Sequence, residues 1–298
     1  HVNPVLGSAF QWMPDQEPLL VKLVPADRGA PPETPLVPPG PKIQESAGTT
    51  VASSTYEARD LLRNSSDADL FDYYTTSRLA LIHVPTGRVT HLGAAAILGS
   101  VSPSPGGQHL LVERLHRPYS YQRAWYRFPR EVEVWTVGGE RVETLASLPL
   151  AEQVPIRGVP TGPREHDWRA TAPATVVWAE ALDGGNPKTK AEKRDRVMIK
   201  PLDGPVRELM QTESRFTGVR WIEKGGLALV SQYDVERIWT RTHLVDADDL
   251  AAPPRLVWDM SADERYRHPG WPVSRMLPSG AWAVLQQGGF VYLDGMGA

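Results

Sequence analysis

The sequence contains no cysteine, no long apolar run and no surplus of positive charge. Without cysteine, neither a disulfide framework nor thiolate chemistry is possible. The apolar runs are far shorter than the roughly 18 residues that a membrane helix needs. A formal net charge of -3 provides no basic surface for nucleic acid. We therefore expect no membrane and no nucleic acid among the partners of this chain.

Short catalytic and metal-binding signatures are missing as well. There is no G-x-S-x-G nucleophile elbow of an α/β-hydrolase and no H-E-x-x-H zinc motif. His109 and His116 form the closest pair of the eight histidines, and we interpret them as surface residues without a metal. Residues 246–249 (DADD) lack the glycine and the distal glutamate of a calcium loop, so they predict a solvated turn. We expect no catalytic residue, metal or cofactor in this chain.

One structural template recurs along the chain. A turn rich in Pro, Asp or Gly precedes a short apolar strand, and a hairpin with alternating apolar and polar residues follows it. Thr-Gly at 86–87, Gly-Gly at 138–139 and Asp-Gly at 203–204 occur where a tight turn needs positive φ. The apolar triplets of the repeats align at Leu19, Leu110, Val176, Ala228 and Ala283.

This repeat predicts an all-β fold, a β-propeller of four-stranded antiparallel blades over residues 1–298. About five blades are visible, and the last is incomplete. An open ring would expose a long edge strand, so we expect the chain to be a fragment of a longer protein. A large β-sandwich is the alternative, because it also has many short strands and Gly/Pro turns.

Two segments depart from the strand pattern. Residues 25–50 are rich in Pro, Gly and Ala and predict a loop. Residues 54–74 predict a short helical insertion, because Ser54 with Glu57, and Ser66 with Asp69, fit the capping-box pattern at a helix start.

Two further segments concentrate charge. Residues 117–135 contain three tyrosines, two tryptophans and four arginines within nineteen positions. Residues 181–199 place five cations near Asp183, Glu192 and Asp195, and this loop is either a charged hairpin or a ligand-facing surface. The five cations are Lys188, Lys190, Lys193, Arg194 and Arg196.

Four stretches carry a family resemblance, in this order: LLVERLHRPYSYQRAWYRFPREVEVW, LPLAEQVPI, WAEALDGGNP and RYRHPGWP. Together they resemble the bacterial and plastid glutamyl endopeptidases, a branch of the prolyl oligopeptidase family of serine peptidases. The resemblance spans nearly the whole chain from about residue 55. It implies an amino-terminal β-propeller and, downstream of this chain, an α/β-hydrolase domain with a Ser-Asp-His triad.

The resemblance also implies a division of labour. The hydrolase domain of the same protein would cleave peptides after Glu, while the propeller would gate access and help to bind them. This chain alone would then be inactive. A stand-alone propeller that binds protein or peptide partners without catalysis is the alternative. Because bacterial relatives are often exported, the resemblance favours the periplasm or secretion over the cytosol.

A glutamate substrate needs cations, and the planar fork of arginine binds both carboxylate oxygens at once. Tyrosine adds a hydroxyl group and an apolar wall. The substrate-binding candidates are therefore Arg117, Tyr119, Tyr121, Arg123, Arg127 and Arg130. The alternative is a structural role, in which the same side chains stack and cap the ends of strands.

Overall fold

A computed structural model describes residues 1–33 and 61–295 of the chain. These residues are mainly in antiparallel β-strands. Their contacts divide the chain into two compact units. Unit 1 consists of residues 1–103 and 108–156, and unit 2 consists of residues 104–107 and 157–298.

Unit 1 contains one sheet of seven strands, which pair in chain order. The strands are β1 Phe10–Trp12, β2 Pro18–Leu23, β3 Thr76–His83, β4 Arg88–Pro103, β5 His109–Leu115, β6 Arg130–Thr136 and β7 Arg141–Leu148. The long strand β4 belongs to two groups of strands. Its residues 88–97 pair with β3, and its residues 97–103 pair with β5. The sheet is therefore two four-stranded blades that share one strand.

Unit 2 contains two four-stranded sheets and a group of short strands. The first sheet has β8 Arg164–Trp168, β9 Thr175–Ala181, β10 Asp195–Pro201 and β11 Arg207–Thr212. The second has β12 Arg215–Trp221, β13 Leu227–Asp234, β14 Trp239–Asp246 and β15 Arg255–Ser261. The short strands are β16 Trp271–Pro272, β17 Ser274–Met276, β18 Trp282–Val284, β19 Gln286–Gln287, β20 Phe290–Val291 and β21 Leu293–Asp294.

These sheets confirm the predicted β-propeller fold class. The aligned apolar triplets lie on β2, β5, β9, β13 and β18. The first four of these strands are the second strand of a blade, which has a hydrogen-bonded neighbour on each side. Leu110, Val176 and Ala228 accordingly have no exposed surface. Strands that pair in chain order within separate sheets also differ from the Greek-key order of a sandwich, so the sandwich alternative is wrong.

The predicted glycine turns are confirmed at two of three positions. Gly87 and Gly139 both adopt positive φ. At Gly139 a side chain is also excluded by space, since a Cβ atom would lie 2.3 Å from the backbone nitrogen of Gly93. The prediction for Asp203–Gly204 was wrong: Gly204 has no positive φ, and its N–H closes an ordinary turn by donating to the Pro201 carbonyl at 3.0 Å.

The one α-helix of the described ranges, α1 (Ser65–Thr75), lies in the predicted insertion. Its N-cap is Asn64, whose Oδ1 accepts a hydrogen bond from the Asp67 N–H at 2.9 Å. The Ser66–Asp69 capping box was therefore wrong, because Ser66 is already inside the first turn. The Ser54–Glu57 box and residues 34–50 of the predicted loop lie outside the described residues.

Each unit has its own apolar core. In unit 1, strands β2 to β6 bury Leu20, Leu79, Leu110 and Trp135 in one cluster. In unit 2, β9 and β10 pack Val177 and Ile199 against the face of β12 and β13. Within residues 1–33 and 61–295, no helix has the length and apolar character of a membrane span.

We predict that Asn64→Ala destabilises α1 by about 1 kcal/mol, because the first turn loses its side-chain acceptor. Hydrogen exchange of the amides in residues 68–75 measures the loss as faster local opening. Ser66→Ala is the matched control and should leave exchange nearly unchanged, since serine within a helix contributes no cap. Equal acceleration by both variants would contradict the assignment of Asn64 as the N-cap.

Candidate functional site

The six candidate side chains lie in residues 117–130, the connection from β5 to β6 in unit 1, here named the arginine–aromatic segment. Its middle is a single turn of 3-10 helix, Trp125–Arg127, between extended ends. Phe128 is buried beside Leu115 in a small core, and Tyr119 packs against the same core. The segment is therefore fixed from within by its own apolar side chains.

Arg117 and Tyr119 bind helix α1. The Arg117 guanidinium donates to Asp69 at 2.6 Å and to Asp72 at 2.8 Å, and the Tyr119 hydroxyl donates to Asp72. The hydrogen bonds to Asp69 and Asp72 raise the pKa of Arg117 above its ordinary value. Burial raises the pKa of Tyr119, and the bond to Asp72 raises it further. These two side chains attach the segment to the helix.

Arg130 anchors the other end of the segment. Its Nη1 donates to the Glu113 carboxylate at 3.1 Å, and Nη2 donates to the Trp125 carbonyl at 3.2 Å. Its Nε donates to the Phe128 carbonyl at 3.3 Å. The guanidinium thus binds strand β5 and the 3-10 turn together, which is a positioning role.

The middle of the segment binds Glu152, in the stretch that follows β7. Ser120 Oγ donates to the Glu152 carboxylate at 2.6 Å, and Arg123 Nε donates to the Glu152 carbonyl at 2.9 Å. Ser120 Oγ also accepts hydrogen bonds from the backbone N–H groups of Gln122 and Arg123. These contacts hold the chain on both sides of Tyr121.

Arg127 differs from the other three arginines of the segment. Its guanidinium has no hydrogen-bond acceptor or carboxylate partner among the described residues. It lies over the ring of Tyr126, with Cζ 5.7 Å from the ring centroid. Burial lowers the pKa of Arg127, and the positive charges of Arg123 and Arg130 lower it further. Arginine stays protonated under all ordinary conditions, so this cation lacks a counter-charge in the described structure.

The candidates therefore separate into two groups. Arg117, Tyr119, Arg123 and Arg130 bind groups of unit 1, whereas Arg127 is half-buried and has no acidic partner among residues 1–33 and 61–295. Tyr121 is 45% exposed. Sequence reasoning missed the acidic partners of the first group. The acidic residues in 65–72 (SSDADLFD) could have predicted these partners, because arginines that leave water need carboxylates from other parts of the chain.

The charged loop of unit 2 forms a buried ion network. Asp183, which is fully buried, accepts hydrogen bonds from Arg215 at 2.5 Å and Arg194 at 2.8 Å. Asp195 is equally buried and accepts from Arg164 at 2.5 Å and Arg215 at 2.9 Å. Burial alone would raise the pKa of Asp183, but the arginine hydrogen bonds hold it below its ordinary value. Of the two interpretations of this loop, the geometry favours the structural one.

The histidines and the DADD turn form no metal site in the described part of the chain, where no three His, Asp or Glu side chains are grouped to hold an ion. His116 instead approaches Glu131 at 3.4 Å. The predicted turn at residues 246–249 is confirmed: Asp246 accepts a hydrogen bond from the Asp248 N–H at 2.9 Å, and Asp248 pairs with Arg169 at 2.8 Å.

Comparison with known proteins gives relatives along the whole chain. The chain is 37% identical over 310 residues to a probable chloroplastic glutamyl endopeptidase of Oryza sativa subsp. japonica. It is 39% identical over 312 residues to the protein of that name in Arabidopsis thaliana. In both alignments the chain matches the amino-terminal part of the relative. Both alignments cover all of this chain, and it spans 32% of the length of each relative. The resemblance that RPYSY and ALDGGNP indicated is thereby confirmed.

The matches to solved structures have low sequence identity, and the search of family models found none. An acylaminoacyl peptidase in complex with Z-Gly-Gly-Phe-chloromethyl ketone is 10% identical with a TM-score of 0.45, and the match covers 84% of this chain and 32% of that one. The β-propeller domain of the Trilobed protease from Pyrococcus furiosus is 8% identical with a TM-score of 0.43, over 84% and 57% of the two chains. The resemblance to the glutamyl endopeptidases rests on the two plant relatives.

We predict that Asp195→Asn lowers the local stability of unit 2 by about 3–5 kcal/mol, because Arg164 and Arg215 would remain buried without that negative charge. Hydrogen exchange of the β10 and β12 amides during urea titration measures the change. Glu213→Gln is the control, since its ion pairs with Lys193 and Arg241 are partly exposed and each should contribute at most about 1 kcal/mol. A similar loss for both variants would show that burial of the network is not the cause.

Proposed function

We propose that this chain is the propeller domain of a serine endopeptidase that cleaves peptides after glutamate. In this proposal the domain gates access to the active site and helps to bind the peptide. The observation that carries it is the 37–39% identity, along the entire chain, with two relatives named glutamyl endopeptidase. Because the chain spans 32% of those relatives, the activity belongs to the whole protein.

The chemistry is assigned to a separate α/β-hydrolase domain of the same protein. Such a domain supplies a serine nucleophile that an adjacent histidine activates, and the peptide is cleaved by acyl transfer. The sequence of this chain lacks the G-x-S-x-G elbow that exposes such a serine. We infer that the chain alone does not hydrolyse peptides and that the hydrolase domain is its principal partner.

Steric restriction gives the proposed gate its physical basis. A propeller beside an active site can admit extended peptides through a narrow opening and exclude folded proteins, whose bulk prevents entry. The arginine–aromatic segment would then contribute to peptide binding, because arginine and exposed aromatic side chains together bind acidic, extended chains.

The test uses the full-length protein with matched fluorogenic peptides that carry Glu or Gln at the cleaved position. We expect kcat/KM for the Glu peptide to exceed that for the Gln peptide by at least about 10- to 100-fold, because only the carboxylate makes charge-assisted hydrogen bonds. A fluorophosphonate probe should label a serine outside residues 1–298.

Two outcomes would contradict the proposal. Equal cleavage of both peptides would leave a peptidase without glutamate specificity. No cleavage and no labelling of the folded protein would favour a propeller that binds partners without catalysis. The gate has its own control: a stably folded protein that displays the same Glu sequence should be cleaved far more slowly than the free peptide.

A further inference from the structure

We propose that Arg127 is the residue of the arginine–aromatic segment that binds a substrate carboxylate, with the ring of Tyr126 beside it. The inference rests on the function proposed above and names the side chain that would contact the peptide. The carboxylate belongs either to the glutamate side chain or to the carboxyl terminus of a short peptide. Both have the planar pair of oxygens that the arginine fork matches.

Each of the other three arginines of the segment already donates to a group of unit 1, Arg123 through its bond to the Glu152 carbonyl. Arg117 binds Asp69 and Asp72, and Arg130 binds Glu113 and two backbone carbonyls. If Arg130, whose side chain is largely buried, turned to a substrate, it would leave the Glu113 carboxylate without this donor, and Arg117 would first have to release two carboxylates of α1. That loss offsets the gain from a new hydrogen bond.

If Arg127 bound a substrate carboxylate, it would not have to give up an ion pair with a described residue. The described structure contains no acidic partner that the substrate would have to displace. Arg123 and Arg130 place two further positive charges close enough to disfavour its charged form. An arriving carboxylate would give the Arg127 guanidinium a counter-charge that no described residue supplies, which makes an anion the ligand that this side chain favours.

The backbone holds Arg127 in place without using its side chain. The Arg127 N–H donates to the Ala124 carbonyl at 2.9 Å, and its carbonyl accepts a hydrogen bond from the Ala151 N–H at 2.9 Å. Tyr126, which is 58% exposed, supplies a flat ring against which the guanidinium rests. The guanidinium is thus oriented before a ligand arrives, and a substitution of its side chain leaves these backbone contacts intact.

The experiment measures binding by calorimetry in the full-length protein. The probe is a peptide with Glu at the cleaved position, an amidated carboxyl terminus and a methyleneamine in place of the scissile peptide bond, so that it cannot be cleaved. Arg127→Gln should raise Kd for this peptide about 10- to 100-fold, the range of a lost charge-assisted hydrogen bond. The matching Gln peptide should bind both proteins equally. Arg127→Lys should recover part of the affinity, since it keeps the charge without the fork.

A second pair of peptides identifies the source of the carboxylate. These peptides carry Gln at the cleaved position and end in either a free carboxylate or an amide. If Arg127→Gln weakens only the peptide with the free carboxylate, Arg127 binds the peptide terminus. If it weakens only the Glu peptide, Arg127 binds the side chain.

Arg78→Gln is the control, because Arg78 is an exposed arginine of β3 that makes no ion pair with another described residue. It should leave every Kd unchanged. The inference is overturned if Arg127→Gln binds all three peptides as the parent protein does, or if Arg78→Gln weakens binding equally. Because binding is measured without turnover, a protein that fails to cleave Glu peptides would refute the proposed peptidase function and still test Arg127.

Discussion

The pairing of buried arginines with carboxylates is the constraint on which the polar parts of this structure depend. A guanidinium has five N–H donors, no acceptor and a permanent charge, so its burial costs free energy unless acids and carbonyls accept its hydrogen bonds. In unit 2, Asp183 and Asp195 accept hydrogen bonds from three arginines. In unit 1, the buried Glu133 accepts hydrogen bonds from Arg114 at 3.0 Å and from the Trp135 indole at 2.9 Å.

Arginine–carboxylate pairs also position the candidate site, although those of Arg117 lie at the surface. Arg117 attaches the arginine–aromatic segment to α1, and Arg130 attaches it to β5. Apolar contacts of Phe128 with Phe71 and Tyr119 close the space between these two anchors. Arg127 lies between the anchors, oriented by the backbone and without an acid in the described structure, and this leaves its charge for a ligand. These ion pairs fix the segment on both sides of Arg127, the residue that we propose to bind a carboxylate.

The strands could be predicted from the sequence because their causes are local. Period-two alternation and the turn residues around Leu110 lie within a few positions of one another. The partners of the arginines could not be predicted, because Asp69 is 48 residues from Arg117 and Asp183 is 32 residues from Arg215. The N-cap of α1 was predicted wrongly for another reason. Asparagine and serine cap helices equally well, so residue preference alone could not favour Asn64 over Ser66. The charged loop of residues 181–199 could not be interpreted from its charges alone, because a structural and a ligand-binding loop differ in how deeply those charges are buried.

The most direct measurement is chemical modification of the full-length protein by the arginine reagent phenylglyoxal, with each modified residue located by mass spectrometry. Since a guanidinium held by carboxylates reacts poorly, Arg127 should be modified before Arg117 and Arg130. A bound peptide with a Glu side chain and a free carboxyl terminus should protect Arg127, and a Gln peptide with an amidated terminus should not. Reaction of Arg127 at the same rate with and without the glutamate peptide would contradict its role as the carboxylate-binding residue.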